Sequence, residues 1–270
     1  MPFTETAYAK INLALHVRAR RADGYHALET LFAFVDAGDR LSAEPDDHDA
    51  VVSRGEFGGV LDDPLANIVM QALAVLPHGS GWRVSLEKNL PVAAGLGGGS
   101  ADAGALFRLV QRAVGLPADW AMRAAALGAD VPACVDSRTV IGRGTGTELE
   151  PGPLDLAGCP VLLVNPRVAL ATGPVFKAWD GVDRGAMPAG SAREIALAGR
   201  NDLEAPALAL CPAVGEVLAE LAKDGAWCVR MSGSGATCFA LYDDVSTRDM
   251  AAARIAAARP GWWQLAGLLR

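Results

Sequence analysis

Between Ala7 and Val17 the chain alternates, with Ala7, Ala9, Ile11, Leu13, Leu15 and Val17 apolar and Tyr8, Lys10, Asn12 and His16 standing between them. A period of two predicts a strand with one buried face, and it places Lys10 and Asn12 on the same side as each other. "RADGYH" reads as a turn punctuated by Asp23-Gly24, after which Leu28 to Val35 resumes extended structure. Asp62-Asp63-Pro64 ahead of "LANIVMQALAVL" predicts a helix start and a helix, and Trp82 to Glu87 is a second short alternating strand. Further on, Ala105, Leu106, Leu109, Val110 and Ala113 recur at helical spacing, with Arg108, Gln111 and Arg112 facing away. Asp119 is placed to cap another helix that ends near Gly128.

The stretch "EPGPLDLAGCP" is rich in proline and glycine and marks the expected domain boundary, giving domains 1–153 and 154–270. Beyond it the pattern predicts a strand at "VLLVN", a helix near Pro174 to Trp179, a Gly/Ala/Pro-rich loop to Gly199, then helices. Strands at "WCVRM" and "TCFALY" follow, separated by the glycine turn "SGSGA", and a helix from Val245 to Ala258 and a last strand close the chain. Strands and helices mix without strict alternation, which favours an α+β fold over a doubly wound sheet.

Composition narrows the function classes. The chain has 270 residues, 51% of them hydrophobic and 20% charged, a globular composition with enough length for two cores. A net charge of −7 argues against a general nucleic-acid surface. Arg18, Arg20 and Arg21 form the one notable basic cluster, read on charge alone as a solvated turn. No signal peptide and no membrane span are expected, and five scattered cysteines without a C-x-x-C pair suit free thiols in a reducing cytoplasm.

The densest chemical signal is "LPVAAGLGGGSADAGALFRLV", from Leu90 to Val110, where a glycine run sits between a strand and an amphipathic helix. Glycines leave backbone N–H groups uncovered and permit positive φ, and a helix start adds unsatisfied donors, so the arrangement suits an anion such as phosphate. Ser100 can cap the helix or bond a phosphate. No Gly-Lys dipeptide occurs, so this is no Walker A loop, and the third Rossmann glycine is replaced by Ser100.

"PVAAGLGGGSADAGA" resembles the phosphate-binding motif of the galactokinase, homoserine kinase, mevalonate kinase and phosphomevalonate kinase superfamily. "AYAKINLALHV" and "RMSGSGATCFAL" resemble its amino- and carboxy-terminal motifs in the same order. "RADGYH", "LGADVPACV", "VFKAW" and "NDLEAPA" narrow the resemblance to the subfamily whose acceptor is a cytidine-diphosphate-linked sugar alcohol, over about Ala7 to Tyr242. It implies a two-domain small-molecule kinase fold. The N-terminal domain would be ribosomal S5-like and the C-terminal domain ferredoxin-like, with an active-site cleft between them. It also implies transfer of the ATP γ-phosphoryl group to the acceptor's 2-hydroxyl, in the non-mevalonate route to isoprenoid precursors. ATP and Mg²⁺ are the implied cofactors. The expected partner is the small-molecule substrate, with no nucleic acid and no membrane, and the chain is expected as a monomer or weak homodimer.

Carried over motif by motif, the resemblance makes Asp130 the base for the acceptor hydroxyl and Lys10 the cation at the forming alkoxide. Gly95, Leu96, Gly97, Gly98, Gly99, Ser100 and Ala101 would hold the ATP phosphates, with Asn67 and Lys88 near adenine and ribose. Asn12 would bond the substrate's hydroxyls or phosphate. Tyr25 and Phe176 would sandwich the cytosine, with His26 at its edge and Thr172 adding a hydrogen bond; stacking of this kind is worth roughly 1–3 kcal/mol per base. Gly233, Ser234 and Gly235 would close over the transferring phosphate or the diphosphate. Asn201 and Asp202 read as structural caps, and no protein ligand to the metal is assigned. Thr147, after the last glycine of "GRGTG", stands where that subfamily usually carries an acidic residue, which leaves the role of this loop open. Each residue also has a plainer reading: Asp130 a helix cap, Lys10 an edge-strand surface lysine, Lys88 an exposed strand-end lysine and Phe176 a core aromatic. The rival functions are another kinase of the superfamily, a decarboxylase of the same fold, and a nucleotide-binding regulator without activity.

Overall fold

In the computed structural model, residues 3–60 and 67–270 are described, so the expected helix start at Asp62-Asp63-Pro64 lies outside the described residues. The strands are β1 (Phe3–Arg20), β2 (His26–Asp46), β3 (Ala50–Arg54), β4 (Gly81–Glu87), β5 (Val140–Arg143), β6 (Glu148–Pro151), β7 (Pro160–Asn165), β8 (Cys228–Met231), β9 (Cys238–Leu241) and β10 (Trp263–Leu268). The helices are α1 (Ile68–Val75), α2 (Gly98–Ala113), α3 (Trp120–Leu127), α4 (Val131–Asp136), α5 (Thr172–Ala178), α6 (Ala192–Ala198), α7 (Glu204–Leu210), α8 (Ala213–Leu221) and α9 (Val245–Ala258). None of them is long and apolar enough to cross a membrane, among the described residues.

The chain forms two compact units, each assembled from three stretches. The first holds the described residues of Met1–Lys10, Ala37–Val92 and Gly97–Ser137. In it β4 pairs antiparallel with the far half of β2 and parallel with β3. Val84 and Leu86 of β4, Leu41 and Ala43 of β2, and Leu106, Phe107, Leu109 and Val110 of α2 are buried to within 1% of full burial. Each fully buried large apolar side chain among them contributes roughly 1.5–3 kcal/mol.

The second unit holds Ile11–Asp36, Ala93–Leu96 and Arg138–Arg270. The near half of β2 pairs with β5, and β5 with β6. The remaining four strands form an antiparallel sheet in the order β10-β7-β9-β8. With helices between β7 and β8 and between β9 and β10, this is the βαββαβ order of a ferredoxin-like sandwich. β7 and β9 are its central strands, buried along their whole length, which is why "VLLVN" and "CFAL" read as near-continuous apolar runs.

Three local expectations change, and the loop whose role was open finds its place. The alternation at Ala7 to Val17 does not mark a half-exposed strand: every residue from Ala9 to Val17 is buried. Its polar members survive because each finds a partner, for instance Asn12 Nδ2 donating to Thr30 Oγ1 at 2.8 Å and His16 Nε2 accepting from the Arg200 N–H at 3.2 Å. The loop expected before Gly199 contains α6, whose capping box is made by Ser191 and Glu194. The "GRGTG" segment is the turn of the β5–β6 hairpin, with Gly144 and Gly146 at φ 65 and 97, a backbone that favours glycine. Asp119 does not cap α3 with its side chain; its carboxylate takes Arg123 Nε at 2.9 Å instead.

Candidate active site

The glycine run is built for close approach. Helix α2 begins inside it at Gly98, with Gly97 as N-cap at φ 60, ψ 24, a left-handed conformation. A side chain at Gly97 would put its Cβ 2.9 Å from Lys10 Cε and 3.7 Å from Asp130 Oδ2, so only glycine lets the loop lie against that pair. Ser100 therefore does not cap the helix, as its sequence position also allowed; it is the third residue of α2. Ala101 is likewise corrected as a phosphate donor, because its N–H is spent on the Gly97 carbonyl at 2.7 Å. The N–H groups that helix geometry leaves for an anion are those of Gly98, Gly99 and Ser100.

Lys10 and Asp130 meet at 2.9 Å, Nζ to Oδ2, with side chains 5% and 31% exposed. Asp130 stands at the N-cap position of α4 but makes no side-chain cap bond, and Lys10 is buried, so neither plainer reading describes them. Next to them Cys134 is fully buried, and burial first and the Asp130 charge second push its thiol well above the ordinary range, so it is no nucleophile.

Lys88 is not an exposed strand-end lysine. Its side chain is 3% exposed and its ammonium is held between Asp39 and Asp102, the latter at 2.7 Å. It lies under the loop, with Nζ 3.1 Å from where a Cβ on Gly98 would lie. Asp39 also accepts from the backbone N–H of Asn89 and Leu90, tying the end of β4 to β2. Burial alone would lower the Lys88 pKa, but Asp102 and Asp39 more than offset it and hold the ammonium above its ordinary value. Burial pushes the Asp102 carboxyl up to about 8 against the pull of Lys88, Asp39 adding to the rise, and Asp102 Oδ1 has no hydrogen-bond partner. Asn67, expected near the nucleotide, caps α1 through Oδ1, which accepts from Val69 N–H at 2.9 Å. Ile68 beside it approaches the Gly99 position within 3.6 Å.

In the second unit, the start of the glycine run packs on the second glycine turn. A Cβ at Gly95 would fall 2.2 Å from the Ser232 carbonyl oxygen, and Ser232 Oγ donates to the Gly95 carbonyl at 2.8 Å. Asn12 joins through its N–H to Ser232 Oγ at 3.3 Å, with its Oδ1 3.4 Å from a Cβ placed on Gly233. Gly233 and Gly235 have φ 55 and 85, and Ser234 Oγ meets Thr172 Oγ1 at 3.0 Å. Asn201 holds the turn in place, donating to the Met231 and Gly233 carbonyls at 2.8 Å each. The ring packed on Phe176 is His26, at 5.1 Å between centroids and tilted 43°, with Trp179 edge-on to His26 at 5.7 Å. Tyr25 stands 66% exposed beside them. Burial first, and the Arg20 charge second, keep the His26 pKa below its ordinary value, and its Nε2 is buried without a hydrogen-bond partner. Such a neutral imidazole with an unanswered nitrogen is suited to a polar group brought by a ligand. Arg20 is not merely solvated: it donates to the carbonyls of Lys177 and Trp179 behind this cluster.

Sequence reasoning missed Asp39, Asp102, Thr30, Ser232 and Trp179. Asp102 carried a signal as a carboxylate on the apolar side of a helix whose neighbours Ala101, Ala103 and Ala105 are all buried, and Ser232 and Trp179 lie within the quoted motifs "SGSGA" and "VFKAW". Among the described residues no group of three or more His, Cys, Asp or Glu side chains converges as a metal site.

Family models agree with this arrangement. The GHMP kinases N terminal domain matches residues 67–138, and GHMP kinases C terminal matches residues 186–260. A 4-diphosphocytidyl-2-C-methyl-D-erythritol kinase of Novosphingobium aromaticivorans is 70% identical over 100% of this chain and 94% of its own length. One of Erythrobacter litoralis is 60% identical over 99% of each. A crystal structure of a 4-(cytidine 5'-diphospho)-2C-methyl-D-erythritol kinase superposes with a TM-score of 0.80 at 33% identity, covering 99% of both chains. The homoserine kinase of Cytophaga hutchinsonii, at TM-score 0.66 and 17% identity over 96% of this chain and 95% of its own, shares the fold. The chain belongs to the GHMP kinases and, within them, to the family of 4-diphosphocytidyl-2-C-methyl-D-erythritol kinases.

Proposed function

We propose that this protein transfers the γ-phosphoryl group of ATP to the 2-hydroxyl of 4-diphosphocytidyl-2-C-methyl-D-erythritol, giving the 2-phosphate and ADP. The observation that carries the reading is the meeting of Lys10, Asp130 and Gly97. A cation, a carboxylate open to solvent and the glycine that caps helix α2 lie within 2.9 to 3.7 Å of one another, measured to the Gly97 Cβ position. Phosphoryl transfer asks mainly for positioning and charge neutralisation. Asp130 takes the proton of the 2-hydroxyl, the oxygen attacks the γ-phosphorus, and ADP leaves with the electrons of the broken P–O bond. Lys10 faces the oxygen as it gains charge. The N–H groups of Gly98, Gly99 and Ser100 hold phosphate oxygens. ATP enters as its Mg²⁺ complex, the metal neutralising phosphate charge, and no protein ligand to it is assigned. Tyr25 and Phe176 stack on the cytosine and His26 answers its edge, while Asn12, Thr172 and the 233–235 turn hold the remainder of the substrate.

The test is ATP-dependent ADP release with Mg²⁺ against 4-diphosphocytidyl-2-C-methyl-D-erythritol, the same compound without its cytidylyl group, homoserine and mevalonate. Turnover restricted to the cytidylylated compound is expected. Turnover of homoserine or mevalonate would overturn the reading of Tyr25, His26 and Phe176, and ATP binding without any turnover would favour a regulator.

A further inference from the structure

Lys10 is carried by β1 and Asp130 by the residue ahead of α4, so their contact is only as well set as the seat of α4 against β1. Helix α2 fixes that seat. Gly104 and Arg108, four residues apart, lie on one face of α2. A Cβ at Gly104 would come within 2.5 Å of the Cys134 carbonyl, so glycine lets the α4 backbone rest directly on α2. One turn further on, Arg108 Nη1 donates to the carbonyls of Cys134 at 2.7 Å and Val135 at 3.0 Å, and to Ser137 Oγ at 3.0 Å. Nη2 of the same side chain donates to the Thr6 carbonyl of β1 at 2.6 Å. The guanidinium carbon lies 5.4 Å from the Tyr8 ring centroid, two residues before Lys10, and Nε lies 3.6 Å from Glu5 Oε2.

We propose that Arg108 is a positioning residue for phosphoryl transfer, joining the last turn of α4 to the strand of Lys10 and so setting Asp130 against Lys10. The inference rests on the reading of Asp130 and Lys10 given above. A guanidinium suits the task because its donors are fixed in one plane and reach both elements at once, and its charge complements the carbonyl end of a helix. A lysine offers one flexible donor point and can hold only one side of the junction.

A clamp that acts through the pair lowers kcat and leaves both KM values alone, whereas a clamp that only holds the fold lowers Tm and leaves the kcat of the folded enzyme unchanged. The experiment measures kcat, both KM values and Tm of the full chain as Arg108→Met, Arg108→Lys, Arg112→Ala and Asp130→Asn, assayed well below each Tm. Arg112 is the matched control, since it sits on the same helix and also reaches β1, donating to the Thr4 carbonyl at 2.6 Å. Arg108→Met is expected to lose roughly 10- to 100-fold in kcat and Arg108→Lys less, with KM values within about twofold and Arg112→Ala within about twofold of wild type throughout. Wild-type kcat in a folded Arg108 variant, an equal loss in Arg112→Ala, or a loss residing in KM would overturn the proposal. If Arg108→Met does not fold, Arg108→Lys decides. Asp130→Asn separates the two readings: wild-type turnover there sinks the catalytic pair itself, while an inactive Asp130→Asn beside an unaffected Arg108→Lys and Arg108→Met sinks only the clamp.

Discussion

Lys10 and Lys88 both end against aspartate in the same compact unit, and the two clusters differ in which partner water can reach. At the first, the Asp130 side chain is 31% exposed while Lys10 is 5% exposed. At the second, Asp39, Asp102 and Lys88 are 0%, 2% and 3% exposed. A half-open carboxylate held by a cation can meet a substrate hydroxyl and exchange its proton. A sealed carboxylate cannot, and here it fixes chain segments: Lys88 joins β4, β2 and α2 under the loop, and Asp39 adds two backbone bonds. The lesson is that a Lys–Asp contact acquires its role from access, not from the pair of residue types.

The largest expected effect breaks the open pair. Asp130→Asn should lower kcat by about 10²- to 10⁴-fold, the usual worth of a general base, with little change in Tm. A loss of stability comparable to that at the sealed cluster would mean the first pair is scaffold as well. Next comes the sealed cluster. Lys88→Met leaves two buried carboxyl groups without their cation and should cost about 3–5 kcal/mol, read as a lower urea midpoint. Adding Asp102→Leu should recover part of that loss, because it removes an uncompensated buried group whose Oδ1 already lacks a partner. An unchanged midpoint in Lys88→Met would erase the distinction between the clusters.

Much of this was legible in the chain before any coordinates, and the limits have physical causes. The glycine run, the helix after it and the strand carrying Lys10 follow from local spacing, since periods of 2 and 3.6 and positive-φ requirements are properties of short segments. Strands β7 and β9 were legible because, buried along their length, they wrote themselves as apolar runs, while the ferredoxin-like sheet they belong to was implied by the family resemblance. What failed was pairing across sequence. Lys88 looked like a strand-end lysine because its partners lie 49 residues before it and 14 after it. Arg108 looked solvent-facing for the same reason, its carbonyl partners standing up to 102 residues away. Burial of β1 on both faces was likewise invisible, because Thr30 and Arg200, which answer its polar side chains, are set by tertiary contact. The S-x-x-E of α6 was readable and was obscured by the surrounding glycine and proline.

The last test sharpens the comparison through pH. Asp102 has its carboxyl raised from 3.8 to about 8, burial being the main cause. In the unfolded chain it titrates at its ordinary value, so between roughly pH 4 and pH 8 the folded state holds a proton that the unfolded state has released. Stability then falls as pH rises through that window, by at most about 1.4 kcal/mol per pH unit for one proton, and levels off above it. Lys88 moves in a separate window: its pKa is raised above 10.5, so the stability it contributes is present at all lower pH and lost only beyond. Asp102→Asn keeps the shape of the side chain and removes the titration. Urea midpoints measured from pH 5 to pH 9 should therefore decline for the wild type and run flatter for Asp102→Asn, the gap between them closing or reversing toward pH 9. Parallel profiles would show that Asp102 is ionised throughout, and that the sealed cluster carries its full charge at neutral pH.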